Sequence, residues 1–301
     1  MSRLSGVIAA AATPLQENLS IDHRRLVQHC KWLLGPGGCD GVNLLGTTGE
    51  ATSFSVDQRI AAMTAIAEGG LALDRFMVGT GANALSDAVR LTSAAKELGY
   101  AGALLLPPSY YKDIDADSLV DYVEAVIAGA GEGARIYLYH IPQNTLVPFT
   151  HEVVERLIRR NPGVVIGLKD SSGDVAYATE IARRLPELDV FPSSEGTLVK
   201  AAEAHFAGCI SATVNVNGSL AQRAWRAQDS DQGRIAAAEA MAIRSALSKF
   251  PLVAAVKWAL AQIHDDAAWT KMHPPLRALT ADEGTALASL LKATAFEGVV
   301  H

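Results

Sequence analysis

Residues 164–174 read VVIGLKDSSGD. A β-branched, apolar run that ends in a Ser/Gly/Asp cluster reads as a buried strand stopping at a loop. The lysine of the run, Lys169, stands where the strand should end. Lysine is seldom buried without a chemical reason. One such reason is covalent: a neutral amine attacks a carbonyl and forms a Schiff base. Apolar walls raise the neutral fraction of an amine whose ordinary pKa is about 10.4. A lysine that snorkels to the surface from a strand end is the plain alternative, and this stretch alone leaves both open. Gly167 shares a face with Lys169, so its missing side chain predicts room beside the amine.

Outward from this strand the chain alternates between strand and helix patterns. Strands are expected over 6–13, 41–45, 76–79, 102–106, 135–140, 164–169, 190–193 and 209–212. Helices fall between them. Ser20 or Asp22 caps the first, Ser55 and Gln58 form a capping box for the second, Gly99 stops the third, and Thr150 caps a later one that Asn161-Pro162 ends. A helix is also expected over 197–207. Eight alternating units in roughly 220 residues have the count and size of a (β/α)₈ barrel, with a doubly wound sheet as the alternative. The expected division is a barrel catalytic domain over 1–221 and an extension over 222–301, built from Ala-rich helices at 222–247, 252–263 and 281–295.

Bulk properties exclude several classes. The 301 residues are 49% hydrophobic and 19% charged, ample for a large core, and the net charge is −6 with no Lys/Arg-rich block. Nucleic acid and anionic membrane are therefore not expected partners, and no apolar run reaches the length of a membrane span. The N-terminal MSRLSGVIAAAATPL resembles a signal peptide in passing. It reads better as a first strand, because one Arg precedes it and Thr13-Pro14 ends it. Cys30, Cys39 and Cys209 are widely spaced, which suggests reduced thiols in a cytoplasmic protein. The eight histidines scatter without i,i+4 pairing or an HExxH pattern, so no metal site is expected. GxSxG is absent as well.

In a (β/α)₈ barrel chemistry sits at the carboxyl ends of the strands, and the informative residues fall there. Gly46-Thr47-Thr48-Gly49-Glu50 offers backbone N–H groups suited to a carboxylate, and the Thr47 and Thr48 hydroxyls can relay a proton. A βα turn that simply needs glycine is the other reading. Tyr139 ends strand five, where a Tyr and a Lys on adjacent strand ends can meet across a site. Gly79-Thr80-Gly81-Ala82-Asn83-Ala84 fits a dinucleotide fingerprint and raises an NAD-linked oxidoreductase as an alternative. The acidic residue that reading wants is missing: the nearest, Glu97, lies inside the next helix.

GTTGE after strand two, Tyr139-His140-Ile141-Pro142 after strand five and GLKDSSGD on strand six together resemble the dihydrodipicolinate synthase/N-acetylneuraminate lyase family of class I pyruvate-dependent aldolases. GTGAN, PPSYY, GCISATVNV and the helical C-terminus extend the resemblance over nearly the whole chain. It implies a barrel with a helical extension, Schiff-base chemistry on pyruvate or another 2-oxo acid, and a homodimer or homotetramer. It implies Lys169 as the Schiff-base lysine and Tyr139 as general acid/base. Thr47, Thr48 and Gly49 would hold the substrate carboxylate, Thr47 and Thr48 would also pass protons, and Thr48 with Tyr111 would form the relay to the phenol. Tyr111 would reach a neighbouring subunit's site, and Ile210 would place its carbonyl near the substrate. No cofactor and no metal are implied, because the imine supplies the positive charge; the partners are a small 2-oxo acid and an aldehyde.

Departures bear on substrate. Asn144 stands where the synthases carry an Arg that grips a carboxylate of the aldehyde, and an amide cannot make that bidentate pair. The segment resembles 4-hydroxy-2-oxoglutarate aldolases more. Ser193-Ser194-Glu195 replaces a Gly-Asp-Asp type segment and alters the distal pocket. Val56 stands where lysine-inhibited synthases carry a His, so feedback by lysine is not expected. The expected activity is aldol cleavage or formation on 4-hydroxy-2-oxoglutarate or a 2-keto-3-deoxy sugar acid. A 4-hydroxy-tetrahydrodipicolinate synthase, a 2-keto-3-deoxy acid dehydratase and a catalytically silent pyruvate-binding homologue are the alternatives.

Overall fold

The computed structural model describes residues 3–300. Eight strands are present: β1 Gly6–Ala10, β2 Gly41–Leu44, β3 Phe76–Gly79, β4 Gly102–Leu105, β5 Ile136–His140, β6 Val165–Asp170, β7 Asp189–Pro192 and β8 Gly208–Ser211. All pair in parallel, in the order β7-β6-β5-β4-β3-β2-β1-β8. The ends of that order meet: the Ala207 N–H donates to the Val190 carbonyl at 2.9 Å across the β7/β8 seam, and the sheet closes into a (β/α)₈ barrel.

The helices are α1 His23–Leu33, α2 Val56–Glu68, α3 Leu85–Leu98, α4 Ala116–Ala130, the one-turn α5 Pro142–Thr145, α6 His151–Arg160, α7 Val175–Arg184, α8 Val214–Arg226, α9 Asp231–Leu247, α10 Leu252–Ile263, α11 Ala281–Leu291 and α12 Glu297–Val300. Local chemistry sets their ends. Asp22, not Ser20, caps α1 by accepting from the Arg25 N–H; Ser55 and Gln58 complete the capping box of α2. Pro142 ends β5 and, at the first helical position, opens α5.

Two expectations of helix are corrected. Residues 197–207 do not form an α-helix: a 3₁₀ segment, Glu195–Lys200, gives way to turns. Ser194 Oγ accepts from the Gly196 N–H and Thr197 Oγ1 donates to the Ser194 carbonyl, so side chains take backbone groups that an α-helix would use. The stretch 222–247 is divided between α8 and α9. Asp229 breaks it with φ +59°, and Ser230 caps α9 by accepting from the Gly233 N–H.

The barrel interior follows from strand alternation. Odd strands point Ile8, Met77, Tyr137 and Phe191 inward, and the even strands answer with Gly41, Gly102, Gly167 and Gly208. A Cβ on Gly167 would stand 2.2 Å from the Tyr137 ring, and one on Gly102 would stand 2.7 Å from it. The space expected beside Lys169 at Gly167 is therefore filled by Tyr137. Two residues further along the same even strands come Asn43, Leu104, Lys169 and Ile210. Helices α9, α10 and α11 bury Ile243, Leu247, Val256, Leu260 and Leu287 against α8 and Ala12, just past β1. Among the described residues no helix is long and apolar enough to cross a membrane.

Candidate active site

Lys169 and Tyr139 are register partners on β6 and β5. Alternation points both into the barrel at its carboxyl end, where Lys169 is 3% exposed and Tyr139 4%. The Lys169 ammonium nitrogen lies 4.4 Å from the centroid of the Tyr139 ring. Tyr139 Oη and Thr47 Oγ1 share a hydrogen bond of 3.0 Å. Burial works to raise the phenol's pKa. The Lys169 charge, with hydrogen bonding from Thr47, Ser171 and Lys169, outweighs it and holds Tyr139 below the ordinary tyrosine value.

The turn after β2 engages carbonyls and leaves amides free. The Glu50 N–H donates to the Thr47 carbonyl at 3.1 Å and Ala51 N–H to the Gly46 carbonyl at 3.2 Å; the Gly49 carbonyl accepts from Thr13 Oγ1 at 2.8 Å. The carbonyls of the turn are thus turned back into the fold. Among the described residues the amides of Thr47, Thr48 and Gly49 meet no acceptor. Successive free N–H groups in a tight turn form a concavity that favours a carboxylate.

A cavity of about 210 Å³ adjoins Tyr139 and Thr47. Gly46, Thr47, Leu104, Tyr139, Asn144 and Thr145 are among its walls; Lys169, packed against the Tyr139 ring, is not. Arg59 also lines it, but its guanidinium donates to the carbonyls of Gly79 and Gly81 at 2.7 and 3.2 Å. Burial lowers its pKa to about 10, so it remains a cation at neutral pH.

The other residues singled out by sequence divide. Asn144, carried on α5, and Thr47 share the cavity with Tyr139. Ile210 is fully buried in the barrel interior with Tyr137, Tyr139 and Phe191. Thr48 is buried, yet the hydroxyl that meets the phenol is that of Thr47. Ser193 is not on this cavity: it lines a larger groove of about 1,090 Å³ between α7 and the segment after β7. Tyr111 is 71% exposed, its ring set edge-on against Tyr110, and makes no hydrogen bond with Thr47 or Tyr139. The GTGANA signal has a packing explanation. A Cβ on Gly79 would stand 2.1 Å from the Leu45 carbonyl oxygen, one on Gly81 would stand 2.4 Å from Leu106 Cβ, and Asn83 Oδ1 accepts from the backbone of Ser109 and Tyr110.

Sequence reasoning passed over two buried ionic groups. Lys257 Nζ donates to Glu50 Oε1 at 2.6 Å with both side chains fully buried. Glu195, also fully buried, accepts from Arg244 at 2.9 Å and from the Thr213 hydroxyl, bridging the ends of β7 and β8. A lone lysine inside the apolar run LVAAVKWALAQI was the available signal for the first.

These features define a (β/α)₈-barrel enzyme whose candidate site lies at the carboxyl ends of its strands. The dihydrodipicolinate synthetase family model matches residues 3–294. The chain belongs to that family, and it is a lyase of it. It is 34% identical over 292 residues to an uncharacterised DapA-like lyase of Chloroflexus aurantiacus, covering 95% of this chain and 96% of that one. The dihydrodipicolinate synthase structure from Agrobacterium tumefaciens superposes with a TM-score of 0.85 at 31% identity, over 96% of this chain and 99% of the other. The 2-keto-3-deoxygluconate aldolase of Sulfolobus solfataricus shares the fold, with a TM-score of 0.85 at 20% identity over 96% and 95%.

Proposed function

We propose that the protein is a Schiff-base-forming lyase or aldolase for pyruvate or a hydroxylated 2-oxo acid such as 4-hydroxy-2-oxoglutarate or a 2-keto-3-deoxy sugar acid. The observation that carries this reading is the buried Lys169–Tyr139 pair, its phenol hydrogen-bonded to the exposed Thr47, beside a turn with three unengaged amides. The substrate carboxylate sits on the amides of Thr47, Thr48 and Gly49. The Lys169 amine attacks the ketone carbon, and water leaves as the iminium forms. The bond between C3 and C4, one carbon beyond the iminium, then breaks: the C4 hydroxyl gives its proton to Tyr139, C4 departs as the aldehyde, and the electron pair passes into the iminium to form an enamine. After C3 is reprotonated, water frees pyruvate and Lys169; the iminium charge makes a metal unnecessary. Tyr139, held below its ordinary pKa, gives and takes the protons, with Thr47 as its partner.

Substrate choice follows from the cavity walls. Asn144, Thr145, Thr52 and Ser109 offer hydroxyl and amide groups, and the guanidinium of Arg59 is committed to two carbonyls. Such walls suit a hydroxylated chain better than the second carboxylate of the aldehyde that a 4-hydroxy-tetrahydrodipicolinate synthase handles. Millimolar lysine is expected to leave turnover unchanged, with Val56 in place of a His and Arg59 beside it repelling a cation. The exposed Tyr110 and Tyr111, 74% and 71%, are the surface we assign to contact with a second subunit of a homodimer or homotetramer. Three buried, unpaired cysteines support a reducing, cytoplasmic setting.

The test is intact mass after incubation with pyruvate and borohydride, followed by peptide mapping. A reduced pyruvyl adduct on Lys169, absent in Lys169→Ala, is expected. A folded wild-type chain that takes no adduct from pyruvate or from longer 2-oxo acids would refute the imine reading.

A further inference from the structure

Glu50 closes the carboxylate-binding turn, yet it is held from the far end of the sequence. Its side chain is fully buried, Lys257 Nζ on α10 donates to Oε1 at 2.6 Å, and the His273 N–H donates to Oε2 at 2.9 Å. Both carboxylate oxygens are engaged, and every partner lies beyond the barrel. Glu50 itself adopts φ +55°, ψ +29°, a conformation that a residue with a side chain seldom takes unless its surroundings impose it.

Stability does not explain this arrangement. A buried ion pair is commonly no more stabilising than a well-packed apolar pair of similar volume. Lys257 is flanked by Ala254, Ala255, Val256, Ala259 and Leu260, all buried, so an apolar residue would suit its surroundings. The charges do have a use at the turn. A bare carboxylate beside an anion cradle would repel the incoming anion, and Lys257 cancels that charge while fixing where Glu50 sits.

We propose that the Glu50–Lys257 pair is a positioning device: through it the C-terminal helices hold the Gly46–Glu50 turn in the pose that binds the substrate carboxylate. The inference rests on the carboxylate role given to that turn above. Glu50 and Lys257 touch no reacting atom, so their effect falls on affinity for the 2-oxo acid and not on the chemical step.

The experiment compares the full-length wild type with Lys257→Met and with the double variant Glu50→Gln/Lys257→Met. Each is titrated with pyruvate under borohydride trapping and followed by thermal unfolding. Lys257→Met strands a buried carboxylate and is the variant at risk of not folding; the double variant removes both charges and retains the shape. In the double variant the half-saturating pyruvate concentration should rise about tenfold or more, the scale of one lost interaction with a charged group. The adduct yield at saturation and Tm should stay near wild type. Lys257→Met, where it folds, should require still more pyruvate than the double variant. A half-saturation within about twofold of wild type would overturn the proposal. So would a saturating yield that falls together with Tm, which is what a purely structural pair would give. A wild-type chain that forms no adduct counts against the imine reading instead. Pyruvate-induced thermal stabilisation then still decides the positioning role: loss in the double variant upholds it, and equal stabilisation in both chains overturns it.

Discussion

Tyr139 meets opposing demands: burial favours its neutral form, while Lys169 beside it and the Thr47 hydroxyl favour the phenolate, and the latter prevail. Tyr139→Phe should lower kcat by about 10²- to 10⁴-fold, the usual scale for a lost proton carrier, while borohydride trapping at Lys169 persists. Trapping and turnover lost in equal measure would assign the phenol a part in binding instead. Thr47→Val removes a hydrogen bond that stabilises the phenolate, so the basic limb of the kcat/KM profile should move to higher pH; an unmoved limb would sever Thr47 from the titrating group. Lys169 and Tyr139 were legible because each ends a strand pattern and alternation fixes the face. The choice between Thr47 and Thr48 was not legible. Adjacent turn residues obey no period, and only the folded turn decides which hydroxyl meets the phenol. Ser193 shows the same limit: it follows β7 directly, and only the folded chain shows that it lines a different groove.

At the scale of elements, β6 presents Lys169 only because Gly167 leaves the Tyr137 ring its place. Gly167→Ala puts a Cβ 2.2 Å from that ring and 2.9 Å from the Asp189 carbonyl oxygen. Overpacking of this kind costs about 1–3 kcal/mol, and here it displaces the strand that carries the amine. Tm and kcat should fall together, with Tyr137→Leu restoring part of both. An additive loss in the double variant would show that the ring and the glycine are not coupled. The strands were readable from short apolar runs bounded by turn residues. The segment after β7 was not, because Ser194 and Thr197 divert backbone hydrogen bonds that helical patterning assumes are available. The join between α8 and α9 was missed for a related reason: an Ala-rich stretch hides a break made by one left-handed residue, Asp229.

For the molecule as a whole, acid is the weak side. His29 is buried against Trp32 and Trp269, with its Nε2 on Asn215, and His140 accepts the Phe149 N–H at Nδ1. Burial lowers their pKa values to about 3 and about 4, from an ordinary 6.5. Well above pH 6.5 both are neutral, folded or unfolded, and contribute nothing to the pH dependence. Below it the unfolded chain binds a proton at each while the folded chain does not. Stability should therefore fall by about 1.4 kcal/mol per pH unit for each histidine as pH drops towards 4. Tm should decline over that window, and His29→Leu should flatten the decline by about one proton's worth; an unchanged slope would place the sensitivity elsewhere. The filled layer of Ile8, Met77, Tyr137 and Phe191 has a different consequence. It acts as a depth stop: no substrate can be accommodated by sinking further along the barrel axis. Any change of substrate length in this scaffold must be taken up sideways, in the loops that follow β3, β4 and β5, which can vary while the Lys169 amine stays at a fixed height.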